Sequence, residues 1–369
     1  MRPAPATRLK LARLLESVLI GTLGGYLFNL AKFPAGWLAG AMIFSAVAAL
    51  AGRTIYVPSA LARISSIVLG ITIGGVVTPD TLRGMTTWPL SIAMVSVSVA
   101  AATLATATYL TRVHGWNQLT ATFASIPGGL AQVMALAAEE RDCDIRGVAI
   151  VQTLRVVILA VVVPAALAGL AGAARLPVGA TAIADAPLGF GLLVAASTVA
   201  AVGLLRLGFP GGLMFGPLIV SAILHGGAFI DVTMPPWLAI AATVGLGTVS
   251  GGRFTGTPFR LLLGYLGAAL GAFAIALVVT GAIGIGVTMV VALPISDLIV
   301  AYAPGAVDAM MILALALHLD PVFVGAHHLT RVFVVSVGLP ILVHYFSPAA
   351  AKRTKSGRAV LPKGDGLDD

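Results

Sequence analysis

Ser125-Ile126-Pro127-Gly128-Gly129, followed by Gln152-Thr153-Leu154-Arg155, is written a second time as Ala303-Pro304-Gly305-Ala306, followed by His328-Leu329-Thr330-Arg331. In each copy a Pro-Gly break interrupts an apolar segment. An arginine follows 28 residues after the first proline and 27 after the second, inside another apolar segment. Proline removes a backbone donor and stops a helix. An arginine at membrane depth costs about 2.5–3.5 kcal/mol even on the gentler insertion scale. Two costly features at matched spacing mark the first place to look for function.

Outward from these stretches, composition sets the environment. Hydrophobic residues make up 59% of the 369 and charged residues 10%, too few charges to cover a water-exposed surface. Mean hydropathy is +1.03. Apolar runs lie near 12–31, 34–51, 60–78, 88–111, 117–138, 147–172, 187–206, 210–226, 236–252, 259–284, 286–317 and 322–346. Several approach or exceed the roughly 20 residues that span a bilayer core. The runs are long and continuously apolar, which predicts packed helices rather than a β-barrel; the 43 glycines agree. The expected fold class is an all-α polytopic membrane protein.

Further matches extend the duplication. Pro34-Ala35-Gly36 with Gly40 matches Pro210-Gly211-Gly212 with Gly216 at an offset of 176. Leu69-Gly70, Gly74-Gly75 and Thr78 match Leu246-Gly247, Gly251-Gly252 and Thr255 at 177, and Asp144 matches Asp320 at 176. Five ordered matches near one offset predict two homologous repeats, 12–172 and 187–346. A Gly/Ala/Pro-containing linker (173–186), a basic N-terminus (1–11) and a basic C-terminal tail (347–369) complete the chain.

Lys and Arg placement orients the repeats. If all twelve segments cross, 13 basic residues fall inside and 7 outside. If each Pro-Gly segment is re-entrant or broken, each half crosses five times, the second half is inverted, and the split becomes 17 to 3. That count places Arg253 and Arg260 in a cytoplasmic loop. The expectation is two inverted repeats, about ten transmembrane helices plus one re-entrant or broken Pro-Gly segment per repeat. Both termini lie in the cytoplasm, and the protein is multi-pass. Inverted repeats with broken helices are a common build of secondary transporters.

The candidate binding residues are Pro127, Gly128, Gly129, Gln152, Arg155, Pro304, Gly305, Asp308, His328 and Arg331. Gln152 and Arg155 share a helix face, as do His328 and Arg331. The arginine fork suits carboxylate or phosphate, so each arginine either binds an anionic solute, or snorkels to an interface or clamps the carbonyls freed at its own break. Asp308 either holds a coupling proton or Na⁺, or partners Arg331. No metal-ligand set, phosphate-cradling loop or nucleophile elbow is present, so no enzyme activity and no cofactor are expected. The lone Cys143 excludes an intrachain disulfide. The basic ends, lacking aromatic interleaving, predict no direct nucleic-acid partner. The bilayer and a small-molecule solute are the expected partners, and self-association into a homo-oligomer stays open.

Pro34-Ala35-Gly36-Trp37-Leu38 with Gly40, Leu69-Gly70 with Gly74-Gly75, the two Pro-Gly stretches, Gln152-Thr153-Leu154-Arg155 and Ala326-His327-His328-Leu329 with Arg331 together resemble the bacterial AbrB-type membrane protein family. The family is distinct from the small soluble DNA-binding regulator of the same name. The resemblance covers about 15–346 and implies a polytopic inner-membrane protein with an internal duplication. It also carries two labels, regulator of gene expression and ammonia monooxygenase; the second finds no metal-ligand set here. In the family pattern a Glu commonly sits five residues after the Pro of Pro-Gly-Gly; here Gln132 and Ala309 stand there. The leading expectation is a secondary transporter of a small anionic solute, working by alternating access. The second is a membrane-embedded regulator or sensor that affects gene expression through a partner.

Overall fold

The computed structural model describes residues 5–128, 130–140, 142–168 and 187–346. Gly129, the linker at 173–186 and the tail at 347–369 lie outside the described residues. The described chain is helical, with no strand. The first half comprises α1 (Pro5–Leu30), α2 (Gly36–Leu50), α3 (Ser59–Gly74), α4 (Pro79–Gly84), α5 (Pro89–His114), α6 (Gln118–Ser125), α7 (Leu130–Glu139) and α8 (Ile145–Ala168). The second comprises α9 (Pro187–Arg206), α10 (Gly212–Gly226), α11 (Pro236–Gly252), α12 (Phe259–Thr288), α13 (Ile295–Tyr302), α14 (Val307–Ala316) and α15 (Pro321–Phe346). α1 begins inside the stretch expected to be a basic N-terminus, because Arg8, Lys10 and Arg13 alternate with leucines and alanines that continue the helix.

Six helices, α1, α5, α8, α9, α12 and α15, contain stretches long and apolar enough to cross a membrane. Their outward faces are apolar as well: Leu188 is 88% exposed and Val199 73%. Such a face suits lipid, which makes no demand for polar cover. α2, α3, α10 and α11 have 15 to 17 residues. At 1.5 Å per residue they are somewhat shorter than a hydrocarbon core of about 30 Å.

These four short helices make the central packing, α2 against α11 and α3 against α10. Glycines permit the contact. A Cβ on Gly70 would strike the Met214 carbonyl, and one on Gly74 the Leu218 carbonyl. Likewise Gly247 sits on Leu38 and Gly251 on the Met42 carbonyl. Small residues four apart let backbones approach, which substitutes for the hydrophobic drive that lipid removes. The remaining packing has the same character. α1 on α2 is matched by α9 on α10, α8 on α12 by α15 on α5, and α6 on α8 by α13 on α15.

α2 and α10 start alike. Ala35 and Gly211 are both left-handed, with φ of 52° and 70°. The turn lets Gly36 approach the backbone of Phe28 and Asn29, and Gly212 that of Leu204 and Leu205.

Candidate functional site

The two Pro-Gly stretches break their helices completely. α6 ends as Ile126 turns extended before Pro127, and α13 ends as Ala303 does so before Pro304. The residue before a proline is pushed out of the helical region, and the proline ring excludes a further helical hydrogen bond. Each break leaves two pieces of 8 and 10 residues, about 12 and 15 Å long, neither able to span a bilayer alone. The carbonyls at the end of the first piece therefore need partners from elsewhere.

The long helix after each break supplies them. On α8, Gln152 Nε2 donates to the Phe123 carbonyl at 2.7 Å. Arg155 donates to the Ser125 carbonyl at 3.3 Å and to Ile126 at 2.8 Å. On α15, His328 Nε2 donates to the Val300 carbonyl at 3.1 Å. Arg331 donates to the Ala303 carbonyl at 2.6 Å, and also to the Gly305 carbonyl and His328 Nδ1. Those contacts place the His328 proton on Nε2, since Nδ1 must accept. The i, i+3 spacing of Gln152/Arg155 and His328/Arg331 thus puts one donor on each level of the freed carbonyls.

The entry to each long helix is held in a matched way. Asp144 caps α8 through the Gly147 amide at 3.1 Å, and Asp320 caps α15 through the Val322 and Phe323 amides at 2.9 and 3.0 Å. The Asp144 amide donates to Thr120 Oγ1, and the Asp320 amide to Asp297 Oδ1, both at 3.0 Å. Asp297 is in this way a scaffold residue. His327, beside His328, faces another way: its Nε2 lies 2.9 Å from Ser91 Oγ and its ring packs at a tilt against Phe323.

Both arginines are buried, at 5% and 3% exposure, and each keeps one nitrogen, Nε, without a partner. The two guanidinium groups lie within Coulombic range of each other. Arg331 reaches towards the opposite break, where a Cβ on Gly128 would lie 3.8 Å from its Nε. Asp308 does not partner Arg331, whose terminal nitrogens are committed to carbonyls and His328. The oppositely charged side chain that shares the cavity wall with it is Arg253, at the end of α11.

A cavity of about 330 Å³ joins these features. Its polar lining includes Gln132, Gln152, Arg155, Arg253 and Asp308, and backbone from both breaks reaches it at Gly128 and Gly305. Met214, Phe215 and Val332 supply apolar wall. Pro127, Pro304 and Arg331 instead border a separate space of about 10 Å³, room for little more than one water. His328 lines neither of these two spaces. Three contributors escaped sequence reasoning. Arg253 read as a loop charge, because it directly follows a helix. Pro210 and Gly211 read only as a repeat marker, although their turn brings them to the cavity wall. Among the described residues no group of three or more His, Cys, Asp or Glu side chains could hold a metal ion.

Long apolar helices, two proline-broken segments and a solute-sized cavity between them define a polytopic helical membrane protein. The chain belongs to the AbrB family, described as Transition state regulatory protein AbrB, which matches residues 37–347. It is similar to the "Putative regulator AbrB" of Escherichia coli (strain K12), at 25% identity over 332 residues, covering 89% of this chain and 94% of that protein.

Proposed function

We propose that the protein is a secondary transporter of a small anionic solute. It is built as two inverted repeats with ten crossings and two broken segments, lying in the inner membrane with both termini in the cytoplasm. The observation that carries the reading is the cavity bordered by both breaks, with the buried Arg155 at its wall. Non-helical backbone at membrane depth is tolerated where protein satisfies it or a cavity hydrates it, and sites of this build serve transport. The exchange pattern of helix contacts supports the two-fold arrangement, and six long plus four short paired helices match the number that ten crossings require. In alternating access, rocking of the halves carries the site from one face to the other.

The test is counterflow in proteoliposomes of the purified protein. Saturable exchange of an organic anion is expected, and it should fall when Arg253→Gln alters the cavity. Absence of flux for every anion class, with correctly oriented and folded protein, overturns the reading. The second reading is a membrane-embedded regulator working through a partner, favoured by the name of the E. coli relative. It calls for a cytoplasmic partner recovered by crosslinking from intact cells.

A further inference from the structure

The charged side chains lining the cavity are Arg155, Arg253 and Asp308, two positive and one negative. Arg253 and Asp308 line it together with opposite charges, so one positive charge is left over. Arg331 borders the other, water-sized space. Arg155 remains, buried at the wall, its terminal nitrogens on the neutral carbonyls of Ser125 and Ile126 and its Nε unpartnered. Carbonyls satisfy donors but bring no counter-charge, and an uncompensated buried charge is expensive. The N-terminus of α14, which has no side-chain cap, borders the same space and adds a partial positive charge.

The rest of the wall selects among anions. Val156, Met214, Phe215, Val307 and Val332 form an apolar surface. A volume of about 330 Å³ sits at the small end of organic-ligand pockets. Phosphate or sulfate would leave that surface facing a hydrated ion. A dicarboxylate would press its second charge against it. A neutral solute would leave Arg155 uncompensated, and a zwitterion would need an acid other than the one Arg253 already balances. We infer that the cavity takes an organic monocarboxylate with an apolar body, its carboxylate at Arg155 and its body along Met214 and Phe215. The inference rests on the cavity being the solute site.

The purified full-length protein in detergent is titrated calorimetrically with benzoate, isovalerate, benzamide, succinate, phosphate and leucine. Benzoate and isovalerate are expected to bind, with benzamide at least ten-fold weaker. Two substitutions then move affinity in opposite directions. Gln132→Glu, at an exposed position on the cavity wall, adds a negative charge and should weaken benzoate by roughly ten-fold. Asp308→Asn removes one, and should tighten benzoate by a similar factor and admit succinate. A structural role for either residue would not give opposite signs. Tighter binding of succinate, phosphate or leucine than of benzoate by the unmodified protein overturns the inference, as does binding of nothing in the panel; neither result depends on a variant folding. Benzoate binding without counterflow of any anion class keeps the inference and removes transport. Counterflow of another solute class without benzoate binding does the reverse.

Discussion

Arg155 and Arg331 show how one side chain can serve architecture while keeping part of itself in reserve. Each gives its terminal nitrogens to carbonyls left bare by a proline and retains an unpartnered Nε. Lysine has a single nitrogen and cannot bridge two carbonyls in a fixed plane. Arg331→Lys is therefore expected to lower stability by about 1.5–3 kcal/mol for each charged hydrogen bond lost, read as a drop in melting temperature in detergent. His328→Gln should cost less, about 1 kcal/mol, because Gln152 already performs the carbonyl contact in the first half. Ala35 stands at φ 52° where its counterpart is Gly211. A left-handed non-glycine costs about 1–2 kcal/mol. Ala35→Gly should therefore raise the melting temperature, offset in part by the entropy of the unfolded chain.

At the scale of elements, the short helices depend on glycine. α3 rides on α10 through Gly70 and Gly74, and α11 rides on α2 through Gly247 and Gly251. A large side chain at these positions must push two backbones apart. Gly74→Leu and Gly251→Leu are each expected to destabilise by about 1–3 kcal/mol or more, as overpacking does. The same substitution at Gly191 or Gly264, where a Cβ meets nothing within 4 Å, should be tolerated. Comparing thermal stability of the four variants tests whether close approach, rather than glycine content, holds the centre together.

For the whole molecule, the proposed inversion of the halves makes a sidedness prediction. The α7–α8 connection, with Cys143, and the α14–α15 connection, with the exposed His318, should open to opposite faces. In spheroplasts, an impermeant maleimide should reach a cysteine at 318 in a Cys143→Ser background, and reach Cys143 only after the membrane is opened. Labelling of both from one side removes the inverted arrangement. Burial pushes the Cys143 thiol above its ordinary range, with Asp144 and Glu140 adding to the shift and a hydrogen bond with Thr120 opposing it. Only the thiolate reacts. Alkylation in opened membranes should thus be slow at neutral pH and accelerate as pH rises, and the assay needs alkaline conditions.

Which parts of this were legible along the chain follows from locality. Hydrophobic run length, proline-glycine breaks and repeated spacing are properties of neighbours in sequence. From them alone came the all-helical membrane class, the twelve apolar segments and the pairing of each break with an i, i+3 donor set. Long-range placement is another matter. Whether an arginine reaches a solute or a carbonyl depends on where α8 and α15 pass the ends of α6 and α13, and the structure spends the terminal nitrogens of both arginines on carbonyls. That Asp308 shares the cavity wall with Arg253 depends on where α14 and the end of α11 meet that space, and composition carries no trace of it. The cavity itself joins residues more than a hundred positions apart in the chain, including a turn at Pro210-Gly211 and a loop arginine with no local signature of function. Local patterns specify which groups must be satisfied, because backbone cannot stay bare in lipid. Only the packed helices decide which groups satisfy them and which charge is left over.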